Sequence, residues 1–335
     1  MSVTDTRLLK PSMLHRQLWD PDHESAERRG LLALPASLTE AHRAVVDRHQ
    51  LLQTIPLRAA GDSPVGGDGD EETKHHFVQA YDGSCARTLL ALLDPHEHVT
   101  FASNRLVLAL AGNSMSLTDA PCGAGAAFLS ILTALAALRR ENVLPRHPLD
   151  VHLIGADISG LARDYAVQML EEVRPALQDQ AIFVNPRFLR WDVLNLRSNT
   201  ELIRQVILAS HERTKKLLIV ANFTGFLMSA NQFNSAKAQL MELFRYCSVP
   251  GGSAIWIEPQ NNLAVRPETG LFAKIMKFFR DPLSIFGTVE AGEEGGDANA
   301  KTEAAFRLSL QPDGTAVARL AVLPINLEPQ ASRAA

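Results

Sequence analysis

The sequence has few cysteines, little net charge and no long apolar run. Its three cysteines, Cys85, Cys122 and Cys247, have neither the paired spacing of a zinc site nor the even count of a disulfide framework. No stretch approaches the ~18 apolar residues that span a bilayer, and the first twenty residues contain no continuous apolar segment typical of a signal peptide. We therefore expect a cytoplasmic protein that is neither secreted nor membrane-bound.

The formal net charge of −4 gives no general attraction to phosphate backbones. Nucleic acid is thus a possible partner, but the charge does not point to one. Hydrophobic residues make up 46% of the 335 residues, which is enough for a large core. The predicted domains are a helical N-terminal extension (1–58), a flexible acidic linker (59–73), a helical lead-in (74–113), an α/β domain (114–326) and a tail (327–335).

Strand-like and helical segments alternate within the α/β domain. Apolar runs at 116–119, 151–156, 187–191, 216–222 and 254–258 predict five strands, with helical segments between them. Two further runs, 305–310 and 316–323, flank the turn signal Gln311-Pro-Asp-Gly314. This order predicts a doubly wound, mostly parallel seven-stranded sheet closed by an antiparallel hairpin.

A glycine turn, Asp119-Ala-Pro-Cys-Gly-Ala-Gly125, joins the first strand to its helix. Gly123 and Gly125 let the backbone pass close to a ligand, and the free N–H groups at the start of the helix point towards it. Polar residues also end the strands, where an open parallel sheet binds its ligands. These strand-end residues are Asp119, Asp157, Asp192, Asn222 and Glu258.

From residue 117 to 323 the chain resembles the class I S-adenosylmethionine-dependent methyltransferases. Asp119 to Gly125 resembles their first motif, in a variant with Pro-Cys in place of a glycine pair. Gly155-Ala-Asp157-Ile-Ser159 resembles the second motif, whose acid accepts hydrogen bonds from the ribose hydroxyls. Trp191-Asp192-Val193 resembles the segment that recognises the adenine amino group.

The resemblance implies a Rossmann-like domain at 114–326 that binds S-adenosylmethionine, and it implies no metal. The residues that it assigns to the cofactor are Asp119, Pro121, Cys122, Gly123, Gly125, Asp157, Ile158, Asp192, Val193 and Asn222. A dinucleotide site is an alternative interpretation of the same turn. Phe128 stands where that fingerprint has its third glycine, and the acid follows about 30 residues later instead of about 20.

The acceptor of the methyl group is not identified by any motif, and a small molecule is slightly favoured over nucleic acid or protein. Residues 222–226, residues 258–262 and the N-terminal helices are expected to contact it. Asn222-Phe-Thr-Gly225 is loosely similar to the loop of enzymes that methylate amino groups of nucleic acids, although both prolines of that motif are missing. Asn222, Phe223 and Glu258 are the candidates for a catalytic role.

Methyl transfer needs an aligned approach of the two reactants in a dry site, so the sequence need not contain a catalytic base. His152 and His211 are interpreted as structural, and His75 and His76 lack the further ligands of a metal site. A third hypothesis is a protein that binds the cofactor without transferring methyl groups, as a sensor or as a subunit of a complex.

Overall fold

The structure, a computed structural model, describes residues 7–25, 28–57, 69–210, 215–247, 251–260 and 300–326. The elements that precede the first strand of the predicted α/β domain include two strands as well as helices. They are β1 (Trp19–Ser25), β2 (Arg28–Leu32), α1 (Ala36–Arg48), α2 (Asp70–Gln79), α3 (Tyr81–Leu93) and α4 (Thr100–Leu110).

Strands and helices then alternate as predicted, because each apolar strand run is followed by a turn and an amphipathic or apolar helix. The hydroxyl of Ser159 caps one of these helices by accepting a hydrogen bond from the amide of Ala162. The elements are β3 (Ser114–Asp119), α5 (Ala126–Arg140), β4 (Leu149–Asp157), α6 (Gly160–Gln178), β5 (Ile182–Arg190), α7 (Leu196–Ser210), β6 (Lys215–Ala221), α8 (Thr224–Ser229), α9 (Phe233–Cys247), β7 (Gly252–Pro259), β8 (Ala300–Arg307) and β9 (Thr315–Asn326).

The nine strands of the described residues belong to one sheet, in the order β1-β2-β8-β9-β7-β6-β3-β4-β5. The five strands from β7 to β5 are parallel, and β9 is antiparallel to both β7 and β8. Such an order, with crossovers running both ways from the centre, is the doubly wound arrangement. The predicted α/β class, mostly parallel sheet and closing hairpin are confirmed.

The predicted strand count of seven was wrong, because the N-terminal extension adds β1 and β2 to the edge of the sheet. Leu31 and Leu32 pair in parallel with Ala305 and Phe306 of β8. The expected helical extension is therefore only partly helical. Strand β1 has a proline and several charged residues in place of an apolar alternation, and its position depends on pairing with distant residues.

Alternate residues of the central strands point into two separate cores, one on each face of the sheet. Leu217 and Ile219 of β6 belong to the larger core, whereas Leu218 and Val220 belong to the smaller one. Burial on both faces explains why this strand reads as a continuous apolar run. In the smaller core Trp256 stacks on Phe244, with the ring centroids 5.9 Å apart.

A buried polar cluster fastens the N-terminal helices to the closing hairpin. Ser309, in the turn after β8, donates its hydroxyl to the carboxylate of Asp82 in α3 at 2.7 Å. Nδ1 of His42 in α1 lies 2.6 Å from the same hydroxyl, and Nε2 lies 2.9 Å from the carbonyl oxygen of Phe77. Helices α1 and α3 are thus held against the sheet by hydrogen bonds as well as by packing.

Some sequence predictions fall wholly or partly outside the described residues. These are most of the acidic linker (59–68), the helix carrying Leu271, Ile275, Met276 and Phe279, residues 261 and 262 of the expected acceptor contacts, His211 and the tail (327–335). Residues 70–73, predicted as the end of the linker, form the first turn of α2. The domain boundaries themselves remain predictions. Within the described ranges no helix has the length and apolarity to cross a membrane, and no cluster of His, Cys, Asp or Glu could hold a metal ion.

Candidate functional site

The candidate site lies where the direction of the crossovers changes, between the carboxyl ends of β3 and β6. These strands are neighbours, and their chains continue in opposite directions, from β3 to β4 and from β6 to β7. The amide of Ala120 still donates to Ile219 at 3.1 Å, and the amide of Asn222 donates to Ile257 at 2.9 Å. Ligands of open α/β sheets bind in the crevice that opens beyond such a point.

The glycine turn begins directly after β3. The amide of Cys122 donates to the carbonyl of Ala156 in the next strand at 2.9 Å, which holds the turn over the end of β4. Gly123 and Gly125 have φ angles of +51° and +86°, which favour glycine. A Cβ added at Gly125 would lie 2.8 Å from the ring of Phe128, whereas one added at Gly123 would meet no atom within 4 Å. Open space therefore adjoins the turn at Gly123.

Asp157, at the end of β4, joins the first two predicted motifs. Its Oδ2 accepts a hydrogen bond from the amide of Gly123 at 2.9 Å, and its Oδ1 accepts one from the amide of Ser159 at 2.9 Å. The side chain is buried, and this burial raises the pKa of Asp157 although both amides favour the ionised form. The amide of Ile158 also acts on the carboxylate as a hydrogen-bond donor, and the group retains capacity to accept a further hydrogen bond.

Asp119 is fully buried under the turn. Its Oδ2 accepts a hydrogen bond of 3.3 Å from the amide of Phe128 in the first turn of α5, whereas its Oδ1 has no partner among the described residues. Burial, reinforced by the charge of Asp157, raises the pKa of Asp119 well above its ordinary value. Its observed contact thus orients the helix that follows the glycine turn.

Three further residues were predicted to bind the cofactor near the turn, namely Pro121, Cys122 and Ile158. Burial raises the pKa of Cys122 well above its ordinary value, so this residue is a neutral thiol that packs under the turn. The peptide bond between Ala120 and Pro121 is cis. Ile158 is half-buried, and its carbonyl accepts a hydrogen bond of 3.2 Å from Arg163.

Asp192 follows β5 and is half-buried. Its Oδ1 accepts a hydrogen bond from the amide of Leu194 at 2.9 Å, and its own amide donates to the hydroxyl of Ser198 at 2.9 Å. Val193 is buried in the smaller core. Asp192 shapes the short loop before α7, and its Oδ2 accepts no hydrogen bond from a described residue.

Glu258, at the end of β7, supports the loop at the end of β6. Its Oε1 accepts from the amides of Phe223 and Thr224, the hydroxyl of Thr224 and the indole nitrogen of Trp256, at 2.6 to 3.0 Å. The residue is fully buried, and burial raises the pKa of Glu258. These contacts give it a positioning role for the loop.

Phe223 is also buried, at 5% exposure. Its ring lies 5.7 Å from that of Trp191 and 6.3 Å from that of Phe226, measured between centroids. An aromatic residue that stacks on an extruded base presents its face to the site. Phe223 instead packs into the smaller core.

The side chain of Asn222, in the same loop, meets helix α3. Its Oδ1 accepts a hydrogen bond of 2.8 Å from Nε of Arg87 in α3. Its φ angle of +54° is left-handed, a conformation that asparagine tolerates better than most residues. Asn222 was among the residues predicted from the sequence for the site, whereas Arg87 was not.

Helices α2 and α3 bring further polar residues to this edge of the sheet. The hydroxyl of Thr73 lies 3.0 Å from that of Ser159, next to Asp157. His76, one turn later, and Arg87 are both half-buried. Arg87 and Asp82 are the only charged residues of α3, and this isolation in an apolar helix is the signal that could have indicated Arg87.

Comparisons with known proteins add only distant similarities. No family profile matches the sequence, and no curated protein matches it. A protein of Listeria monocytogenes assigned to the class I S-adenosylmethionine-dependent methyltransferases is 16% identical over 88% of both chains, with a TM-score of 0.38. Human N-acetylserotonin methyltransferase, solved in complex with S-adenosylmethionine, is 12% identical over 93% of this chain and 80% of its own, with a TM-score of 0.25. Both neighbours are named as methyltransferases.

Proposed function

We propose that this protein is an S-adenosylmethionine-dependent methyltransferase that acts on a small-molecule acceptor. The observation that carries the proposal is the position of Asp157, whose carboxylate is fixed by the amides of Gly123 and Ser159 beside the open space at Gly123. A fixed carboxylate with remaining acceptor capacity suits two neighbouring hydroxyl groups, such as those of a ribose.

The other residues at the crevice fit the same cofactor. Gly123 leaves room for the methionine part of the molecule, because no atom lies where its Cβ would be. The half-buried Asp192 has a carboxylate oxygen that no described residue engages and that can accept a hydrogen bond from the adenine amino group. Cys122 and Asp119 are the buried residues of the turn, and we assign them the role of supporting its shape.

Methyl transfer mainly requires the protein to align the two reactants and to exclude water. S-adenosylmethionine, when bound, supplies an electrophilic methyl group on a sulfonium sulfur. The loop at Asn222 and helices α2 and α3 lie beside the crevice and are the described elements that can orient an acceptor. In this proposal Glu258 and Phe223 hold that loop in place.

Methylation of a nucleic-acid amino group is disfavoured by two observations. That chemistry uses the oxygen of Asn222 to accept a hydrogen bond from the amine, but Arg87 already occupies one of the two acceptor positions of this oxygen. It also uses an exposed aromatic ring for the extruded base, whereas Phe223 is buried between Trp191 and Phe226.

The test is calorimetric titration of the protein with S-adenosylmethionine and with S-adenosylhomocysteine. We expect binding of both, and we expect Asp157→Asn to weaken it by about 1–3 kcal/mol, since hydrogen bonds to an ionised carboxylate are lost. Asp150→Asn is the matched control, because Asp150 is exposed at the opposite end of the same strand. If neither compound binds the wild-type protein, the proposal is wrong.

Transfer itself distinguishes an enzyme from a sensor. The protein is incubated with methyl-labelled S-adenosylmethionine and fractionated small-molecule extracts, and the label is followed into products. Binding of the cofactor without transfer to any small molecule, protein or nucleic acid would favour the sensor. A label found in nucleic acid, together with binding that falls steeply with salt, would favour the nucleic-acid alternative.

A further inference from the structure

Arg87 and Asn222 form a cluster in which hydrogen-bond donors predominate. Oδ1 of Asn222 accepts a hydrogen bond from Nε of Arg87 at 2.8 Å, and this contact fixes the orientation of the amide, whose Nδ2 group remains to donate. Nη2 of Arg87 donates to the hydroxyl of Ser84 at 3.2 Å. Neither Nη1 of Arg87 nor Nδ2 of Asn222 donates to a residue within the described ranges, so at least four N–H groups are available here.

The cluster also carries a positive charge that no carboxylate neutralises by direct contact. Burial lowers the pKa of Arg87 to about 10, so it is still cationic at neutral pH. Glu258 acts on it electrostatically from its buried position, but it forms no ion pair with Arg87. Among the described residues, no Asp or Glu lies within ion-pair distance of Arg87.

His76 adds no charge to the cluster. Burial, together with the charge of Arg87, lowers the pKa of His76 to about 4, so the imidazole is neutral at physiological pH. The polar edge of the crevice from α2 to Asn222 thus contains a cation, an amide donor group and a neutral ring. Its electrostatic complement is an anion.

We propose that Arg87 and Asn222 bind an anionic oxygen group, a carboxylate or a phosphate, on the methyl acceptor. The planar guanidinium is suited to either group, and Asn222 adds a donor from the end of β6. This inference rests on the proposed function, because the cluster lies beside the crevice assigned to the cofactor. It narrows the acceptor to acidic small molecules and gives Arg87 a role in binding them.

The same geometry allows one competing source for the anion, which is the carboxylate of the cofactor itself. The test therefore uses protein saturated with S-adenosylhomocysteine, in which that carboxylate is already bound. Benzoate, phenyl phosphate and benzamide are then titrated while the Nε–H resonance of Arg87 is followed by nuclear magnetic resonance. The three probes share a ring and differ in charge and geometry.

We expect a saturable shift of the Arg87 signal with at least one anion and none with benzamide. The preferred anion indicates whether the acceptor is a carboxylate or a phosphate. The Kd of that anion should rise at least about ten-fold in Arg87→Gln, while the Kd of S-adenosylhomocysteine changes less than two-fold; a ten-fold change corresponds to 1.4 kcal/mol. Arg87→Lys keeps the charge and should retain part of the affinity.

Two results would overturn the inference. One is a shift of the Arg87 signal that is absent with both anions or equally large with benzamide. The other is a loss of S-adenosylhomocysteine affinity in Arg87→Gln comparable to the loss of anion affinity, which would assign the cluster to the cofactor. The titration of the wild-type protein gives an answer even if a variant does not fold. If S-adenosylhomocysteine does not bind at all, the proposed function fails, and the same titration without it still tests the anion site.

Discussion

Glu258 accepts hydrogen bonds from both the amide and the hydroxyl of Thr224, at 2.8 and 2.6 Å, and so fixes the loop at the end of β6 from below. Glu258→Ala removes the common acceptor of four buried donors, and we expect a loss of at least about 3 kcal/mol in the free energy of unfolding, because each orphaned donor costs about 1–3 kcal/mol. Glu258→Gln keeps an acceptor oxygen and should cost far less. Urea denaturation of both variants measures the difference, and equal losses would contradict this positioning role.

The sequence predicted the centre of the fold because the centre is specified locally. Strand β6 reads as Lys-Lys-Leu-Leu-Ile-Val-Ala, and a continuous apolar run of this length followed by a polar loop indicates a strand buried on both faces. Strand β1 carries no such pattern. It is ordered by its partner β2, which itself pairs with the distant β8, and pairing of this kind is not encoded in a short window.

The same distinction applies to the site. Asp157 could be located from its spacing to the glycine turn, because both belong to consecutive strand ends of one sheet. Arg87 could not, because it reaches the site only through the packing of α3 over the sheet, against β7, β9 and α5. Asn222 was predicted at the site from its position at a strand end, but its available hydrogen-bonding groups depend on Arg87.

Gly123→Ala and Gly125→Ala should separate ligand binding from stability. Both positions have left-handed backbone, so each alanine costs about 1–2 kcal/mol of stability. Gly125→Ala should cost clearly more, because its Cβ would lie 2.8 Å from the Phe128 ring and 2.9 Å from Leu129. Gly123→Ala meets no protein atom, and its Cβ would occupy the proposed cofactor space.

These two effects are measured by thermal unfolding and by titration with S-adenosylhomocysteine. We expect Gly123→Ala to lower the affinity by about ten-fold or more, which is 1.4 kcal/mol, at a modest cost in stability. An unchanged affinity would show that the open space at Gly123 is not part of the site.

Asp119→Asn should make the protein more stable at neutral pH. Burial raises the pKa of Asp119 well above its value of about 3.9 in an unfolded chain. The folded state therefore prefers the protonated acid, and this contribution to stability is complete below about pH 4 and is lost as the pH rises through the folded pKa. Asparagine does not titrate and can still accept the hydrogen bond from the amide of Phe128.

The measurement is the free energy of unfolding in urea across the acidic and neutral range. We expect the variant to gain on the wild-type protein as the pH rises, with Asp150→Asn as the control at an exposed position of β4. A variant that is less stable than the wild-type protein at neutral pH would indicate that the negative charge of Asp119 is stabilised by groups other than the amide of Phe128.

Asp82→Asn should have the opposite pH dependence. Burial alone raises the pKa of Asp82, but the hydrogen bonds from His42 and Ser309 outweigh it and hold the pKa below the ordinary value. The stability that this carboxylate contributes is therefore present above the unfolded pKa of about 3.9 and is lost as the pH falls through the lower folded pKa. At neutral pH the variant should lose about 1.5–3 kcal/mol, as is usual for hydrogen bonds to a charged group.

The loss in Asp82→Asn follows from the geometry of the cluster. Both oxygens of Asp82 lie within 2.8 Å of the hydroxyl of Ser309, and Oδ1 lies 3.2 Å from Nδ1 of His42. An asparagine places an amide N–H group towards at least one of these donors.

Asp313→Asn, at an exposed position of the turn that contains Ser309, is the control. The difference in stability from the wild-type protein should shrink below about pH 4, where this carboxyl group begins to be protonated in the unfolded chain. A difference that stays constant with pH would mean that Asp82 stabilises the packing of helices α1 and α3 through its shape, without its charge.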